Sequence, residues 1–237
     1  MPSLLVIGAH AADFVWRSGG TIALHTSKGW LATVVALSYG ERGESGDLWK
    51  QAGQTADAVK RVRHQESSAA AAAVGAELVA FDLGDYPLEV PADAVHRLAE
   101  LMRELAPDVV VTHTAVDPFN PDHPVAHAAT DRARKLAMGA AGVASAFRTI
   151  PPPRMYLFEP HQPEQCGFRP DTYIDFTSVA ERKEAAMAAM AAQSYLRDHY
   201  RQRAEQRAYQ ARYFGAVPEA KYVEAFQRVT PAFVESL

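Results

Sequence analysis

Four short polar segments of this 237-residue chain follow runs of apolar residues, and each carries side chains able to move a proton or bind a cation. His10 and Asp13 follow Leu4-Leu5-Val6-Ile7-Gly8 and lie three apart, a spacing that lets an imidazole and a carboxylate turn toward one point. Glu41, Arg42 and Glu44 follow a second apolar run, and His113, Asn120, His123 and His127 a third. Glu159 and His161 follow a fourth. One imidazole from the third segment, added to the first pair as in His10, Asp13 and His123, makes a two-histidine, one-carboxylate set. Such a set leaves positions open for water or substrate. It suits catalytic zinc and would also accept Fe(II) or Mn(II). His10 alone has a plainer explanation, a hydrogen-bonded histidine beside a helix start. The three together are harder to explain that way.

The elements that must position these residues follow from hydrophobic patterning. Residues 4–8 form a short continuous apolar run, the mark of a strand buried on both faces; 31–38 read as a second buried strand, and 77–82 and 108–113 as the third and fourth strands. Helices are predicted at residues 21–28, ended by Gly29, and at 55–74, closed by Gly75. Further helices are predicted at 91–105, stopped by Pro107, and at 126–138. Residues 39–54 and 139–153 read as loops, 154–159 and 172–176 as strands. From about residue 179 onward the chain reads as helical, with breaks near 215–218 and at Pro231; the alanine runs at 69–73 and 185–192 are strong helix formers. Strands alternating with helices predict a single α/β domain over residues 1–237. Its sheet is Rossmann-like and mostly parallel, with helices on both faces and a helical C-terminal layer. Ligands of such sheets bind beyond the carboxyl ends of the strands. All four polar segments fall there.

Composition narrows the function classes. Hydrophobic residues make up 48% and charged residues 22%, enough apolar material for a sizeable core. Twenty-four Lys+Arg against 28 Asp+Glu give a net charge of −4, without the basic excess of a nucleic-acid binder. No apolar run approaches the roughly 18–20 residues of a membrane span. Met1-Pro2-Ser3 lacks a basic stretch, and one cysteine, Cys166, allows no internal disulfide. A cytoplasmic protein with no nucleic-acid or membrane partner is expected.

The layout resembles the LmbE/PIG-L-type zinc deacetylase superfamily. Its first motif, Ala-His-Pro-Asp-Asp-Glu, is matched by Ala9-His10-Ala11-Ala12-Asp13-Phe14, and its second, His-Pro-Asp-His, by Asn120-Pro121-Asp122-His123. The resemblance implies that His10, Asp13 and His123 bind the metal, most readily Zn2+. Two departures matter. The deacetylases' general base is the first Asp of motif one, which is Ala12 here, and the first His of motif two is Asn120. A methyl group cannot accept a proton, so the metal set is kept while plain deacetylation is disfavoured.

One branch of the superfamily, the 4-oxalomesaconate hydratases of gallate and protocatechuate breakdown, shares this substitution pattern. The resembling segments are residues 10–17, 40–45, 81–88 and 156–166. The branch implies addition of water across a double bond conjugated to an oxo-acid, giving 4-carboxy-4-hydroxy-2-oxoadipate. That reaction needs a base for water, an acid for the neighbouring carbon, and positive charge where the enolate develops. Glu44 is the candidate base and His161 the candidate acid, with their roles interchangeable at this level and Glu41 competing with Glu44. A substrate with three carboxylates calls for arginine's planar fork. Arg42 leads, Arg17 and Arg154 follow, and Asn120 is placed with the substrate-binding group.

His113 is expected to hydrogen-bond a ligand residue, and His127 to stay outside the ligand set. His25, His64, His96 and His199 are expected in solvent, and Cys166 idle. The basic, aromatic segment at 195–213 reads as a solvated helix or an oligomer surface, and a homo-oligomer is expected by resemblance. Two other functions compete with hydration: an amide hydrolase with a substitute base, and a metal-binding carboxylate sensor without turnover.

Overall fold

In the computed structural model, residues 1–139, 145–215 and 218–233 are described. The first apolar run forms strand β1 (Ser3–Gly8), buried along its whole length. Its side chains alternate between two cores: Leu4 and Val6 join one cluster, Leu5 and Ile7 the other. Each such side chain contributes about 1.5–3 kcal/mol by leaving water. A strand buried on both faces has no polar positions to spare, which is why it reads as one unbroken apolar run.

The remaining strands are β2 (Leu31–Ala36), β3 (Glu77–Ala80), β4 (Val109–Thr112), β5 (Arg154–Phe158), β6 (Thr172–Asp175) and β7 (Val223–Arg228). They form one seven-stranded sheet in the order β3-β2-β1-β4-β5-β7-β6. The first five run parallel, in register Val6 opposite Val34 and Val111. The last two are antiparallel to their neighbours in turn. Helices α1 (Asp13–Ser27), α3 (Ala56–Val74), α6 (Ala180–Ala189) and α7 (Leu196–Tyr213) pack on the Leu4 face. Helices α4 (Ala92–Leu105) and α5 (Asp122–Met138) cover the Leu5 face. The expected α/β fold is present, and five details differ from the expectation.

Helix α1 starts at Asp13, eight residues before the predicted 21. Gly19 and Gly20 hide that start, and tertiary packing demands the second: a Cβ on Gly20 would lie 2.3 Å from the Phe176 ring. Helix α5 starts at Asp122 rather than 126, because Pro124 lies in the first turn, where a missing N–H costs nothing. The third difference is β7, inside the stretch read as helical. Glu224 masks it, an acidic residue at a position buried on both faces, paired there with Lys183. The second alanine run is also interrupted: α6 ends at Ala189, and residues 191–193 form a 3-10 turn. The loop at 39–54 contains one short helix, α2 (Gly46–Trp49). The predicted loop at 139–153 and the break at 215–218 lie partly outside the described residues.

Candidate active site

The chain leaves β1 toward β2 and β3 on one side and returns to β4 and β5 on the other, so strand order reverses between β1 and β4. The crevice beyond such a switch point is where open α/β sheets bind ligands. His10 leaves the end of β1 and His113 the end of β4. Asp13 and His123 stand in the first turns of α1 and α5, directly above.

These side chains converge, nearly out of contact with solvent. The Asp13 carboxylate lies between two rings, with Oδ2 3.5 Å from His10 Nδ1 and Oδ1 3.7 Å from His123 Nε2. Both nitrogens are buried and have no hydrogen-bond partner. The opposite nitrogen of each ring is tied to a carboxylate: His10 Nε2 to Asp122 Oδ2 at 3.0 Å, His123 Nδ1 to Asp117 Oδ2 at 2.8 Å. An imidazole whose rear nitrogen is held by a carboxylate, with its front lone pair free, has the wiring of a metal ligand. Among the described residues three overlapping groups of donors each lie within 4.8 Å of one another: His10 with Glu44 and His123, Asp13 with His113 and His123, and His10 with Asp85 and Asp122; the sequence-predicted trio His10, Asp13 and His123 is split between the first two. His113 is the weaker member. Its Nε2 lies 3.0 Å from both the Ala9 amide and Asp13 Oδ2; bare, it accepts the Ala9 N–H, and protonated, it donates to Asp13, so in either state the protein occupies it. The lone pairs left for a cation belong to His10 and His123.

Electrostatics supports the same reading. Burial opposes charge on His10, but Asp122, Asp13 and Glu44 outweigh it and lift the ring to about 10. Burial also opposes charge on Asp13, yet the surrounding histidines hold it well below the usual carboxylate range. Burial, His113 and Arg17 push His123 well down. Despite burial, its contact with His123 brings Asp117 to about 2. The cluster stores negative charge that one positive charge must balance. A proton on His10 does so, and a divalent cation would do so better.

Glu44 stands beside this cluster, with Oε1 3.8 Å from His10 Nδ1. Gly40 makes the approach possible: its φ is +70° and a Cβ there would lie 2.8 Å from that of Glu44. Asn120 Nδ2 donates to one Glu44 oxygen (2.9 Å) and Gln193 Nε2 to the other (2.7 Å). Neither amide is free to flip. The Asn120 oxygen accepts the Asp122 amide, and the Gln193 oxygen accepts Arg63 and Trp16. Glu41, equal to Glu44 in sequence, turns elsewhere. It is buried toward Lys60 and Asp85, and burial and the neighbouring acid raise its pKa.

Arg17 is buried with Nε 3.5 Å from Asp13 Oδ1, and its NH1 donates to the Glu159 carbonyl. Arg42 is exposed. Its guanidinium reaches the Asp85 carbonyl, and among the described residues it makes no ion pair with Glu41 or Glu44. Arg154 starts β5 opposite Val109, at the far edge of the sheet, and cannot serve this crevice.

His161 lies beside α7. Its Nδ1 is 3.3 Å from the Tyr200 hydroxyl, and its ring packs beside His199 at 5.6 Å. Burial, Arg17 and His199 push it down to about 3. His199 therefore leaves the solvent role read from sequence. His25 does too, bonded to the Thr21 carbonyl and packed edge-on against Trp30. His127 reaches the His113 carbonyl, away from the donors. Cys166 is buried beside Asp117, and burial and that acid raise it to about 11. Sequence reasoning gave no role to Asp117, Asp122, Gln193 or Tyr200. The first two follow turn and motif positions close to His123; the last two approach from chain about 150 residues away from Glu44 or from a different element, with no local signal.

The PIG-L family, described as GlcNAc-PI de-N-acetylase, matches residues 5–134, and the chain belongs to it. Two of its full-length relatives within that family are hydratases. A 4-oxalmesaconate hydratase of Pseudomonas putida KT2440 is 44% identical over 238 residues, spanning 99% of this chain and 92% of that protein. The crystal structure of GalB, the 4-carboxy-2-hydroxymuconate hydratase of the same strain, matches with a TM-score of 0.96 at 44% identity, covering 100% of both chains. A 1D-myo-inositol 2-acetamido-2-deoxy-alpha-D-glucopyranoside deacetylase of Rhodococcus erythropolis is 33% identical over 160 residues, 58% of this chain and 54% of that one.

Proposed function

We propose that this protein is a metal-dependent hydratase, a hydro-lyase that adds water to the conjugated double bond of 4-oxalomesaconate to give 4-carboxy-4-hydroxy-2-oxoadipate. The observation that carries the reading is the full-length likeness to a 4-oxalmesaconate hydratase. Ala12, a buried methyl where the deacetylases carry their base, argues in the same direction.

His10, Asp13 and His123 are proposed to hold a divalent cation, Zn2+ by the donor set. Bound there, it would supply Lewis-acid charge toward the developing enolate. Glu44 accepts an amide N–H on each oxygen and offers its remaining lone pairs to the crevice. It is proposed to take the proton of water as the oxygen bonds to one alkene carbon. That proton is then the one available to the neighbouring carbon, so atoms balance with nothing oxidised. His161, the acid candidate of the sequence, is pushed down to about 3 and carries no extra proton to give near neutrality; it is proposed instead to meet the oxo-acid with a neutral N–H as charge builds there. Arg42, with its exposed guanidinium, and Arg17, behind Asp13, supply positive charge for a polycarboxylate, while Asn120 both anchors Glu44 and faces the substrate.

Among the described residues no helix is long and apolar enough to cross a membrane. A cytoplasmic location and a homo-oligomer are proposed with this function, and solution mass tests the second. The deciding assay follows the ultraviolet absorbance of 4-oxalomesaconate with metal-replete protein. Loss of the conjugated chromophore with a gain of one water by mass is expected. A flat trace, with acetate released from N-acetyl sugars instead, overturns the proposal in favour of an amide hydrolase.

A further inference from the structure

Helix α7 does more than cover the sheet. Three of its side chains grip the turn that carries His161. Arg203 and Arg207 both pair with the Glu159 carboxylate, Arg207 Nε at 2.9 Å, and Arg203 also donates to the His161 carbonyl at 3.3 Å. Tyr200 reaches the ring itself. It is buried, stacked on Trp16 with ring centroids 5.6 Å apart. Among the described residues its hydroxyl meets one hydrogen-bond partner, His161 Nδ1.

We propose that Tyr200 is a positioning residue that donates its hydroxyl hydrogen to His161 Nδ1 and so fixes the ring as the tautomer protonated on Nε2. A phenol has a single hydrogen to place, and a buried donor left unpaired costs more than the bond it forgoes. With one partner in reach, that hydrogen goes to Nδ1. A nitrogen that accepts carries no proton of its own, so a neutral ring carries its proton on Nε2. Burial together with Arg17 and His199 keeps the ring neutral. The Arg203 and Arg207 grip on the turn prevents the ring from swinging away. His161 thus meets the substrate as an uncharged N–H donor whose direction is set before binding. The assignment deepens the hydratase reading and rests on it for the part played in turnover, while the tautomer itself is independent of substrate.

The test is nitrogen NMR of the full, metal-loaded protein labelled with 15N-histidine, His161 being assigned by its absence from H161N. Between pH 6 and 8 the expected spectrum shows a bare Nδ1 and a protonated Nε2. Tyr200→Phe removes one oxygen and is expected to give a mixture of tautomers, unchanged metal content, and a kcat lower by about tenfold at similar KM, the scale of one lost hydrogen bond. In an H161N background the same substitution is expected to have no further effect on kcat. A proton on Nδ1 in the unmodified protein overturns the proposal even if Y200F fails to fold. So does a Y200F spectrum identical to that of the unmodified protein. Absence of hydration by the unmodified enzyme would instead remove the hydratase reading, with the tautomer still decided by the spectrum.

Discussion

The histidines at the ends of β1 and β4 and the histidine beside α7 are wired in opposite ways. His10 and His123 each lean on a carboxylate through one nitrogen and leave the other bare and buried. His161 leans on a phenol and has no carboxylate partner among the described residues. The consequence shows in how tightly each holds a proton: His10 is lifted to about 10, whereas His161 is pushed down to about 3. Both rings are mostly hidden from water, so burial does not separate them. The charge gathered around each does: Asp122, Asp13 and Glu44 surround His10, whereas Arg17 and His199 face His161. His123 marks the limit of the rear carboxylate, since burial, His113 and Arg17 push it down although Asp117 backs it. The first region is proposed to seat a cation, the second a neutral donor.

The largest test of that contrast removes the cation's seat. Asp13→Ala and His123→Ala are each expected to lose the metal and to lower turnover by about 10³-fold or more, since a Lewis acid contributes several kcal/mol. Elemental analysis beside the hydration assay checks this, and a variant with full metal content would break the comparison. Next, Glu44→Gln keeps the shape but cannot take a proton. Turnover should fall by roughly 10²–10⁴-fold with metal retained. Loss of metal from this variant would make Glu44 a ligand, as its place in one donor group allows.

A milder change touches only the rear of a ligand. Asp117→Asn preserves a hydrogen bond to His123 Nδ1 while removing the charge, and should weaken metal affinity by about 10–100-fold. Competition with a chelator measures it; an unchanged affinity would mean that the rear carboxylate does not tune the site. The smallest effect concerns His161 and pH. A ring held at about 3 in the fold and near 6.5 when unfolded lets the unfolded chain bind a proton that the fold refuses. Stability is then full above pH 6.5 and declines as pH falls toward 3. His161→Gln should make that decline shallower by up to one proton, read from denaturant midpoints between pH 6.5 and 4.5. An unaltered slope would show that the ring is not held neutral.

The centre of the parallel sheet was legible because β1, β2 and β4 are buried on both faces and so announce themselves as apolar stretches. The pairing of His10 with Asp13, the first two proposed ligands, was legible too, since both are local to one turn and lie 3.5 Å apart. What escaped was set by distant contacts. Position 20 is glycine inside a helix because Phe176 fills the space of a Cβ, and β7 is a strand although an acid sits at its second position, where Lys183 meets it. The choice between Glu41 and Glu44 has the same character. Three residues apart in one loop, they differ by what lies opposite: Lys60 and Asp85 for the first, His10, Asn120 and Gln193 for the second.

One of these distant contacts bears on the order of folding. Glu224 of β7 accepts the amides of Gly20 and Thr21, 204 and 203 positions earlier, in the middle of the helix whose first turn presents Asp13. Closing so long a loop adds little to the equilibrium cost, which grows only with the logarithm of its length, but contacts of such separation come late. During synthesis, these two bonds form only after β7 has emerged. The seating of the helix that presents Asp13 is thus finished by a strand made some two hundred residues later.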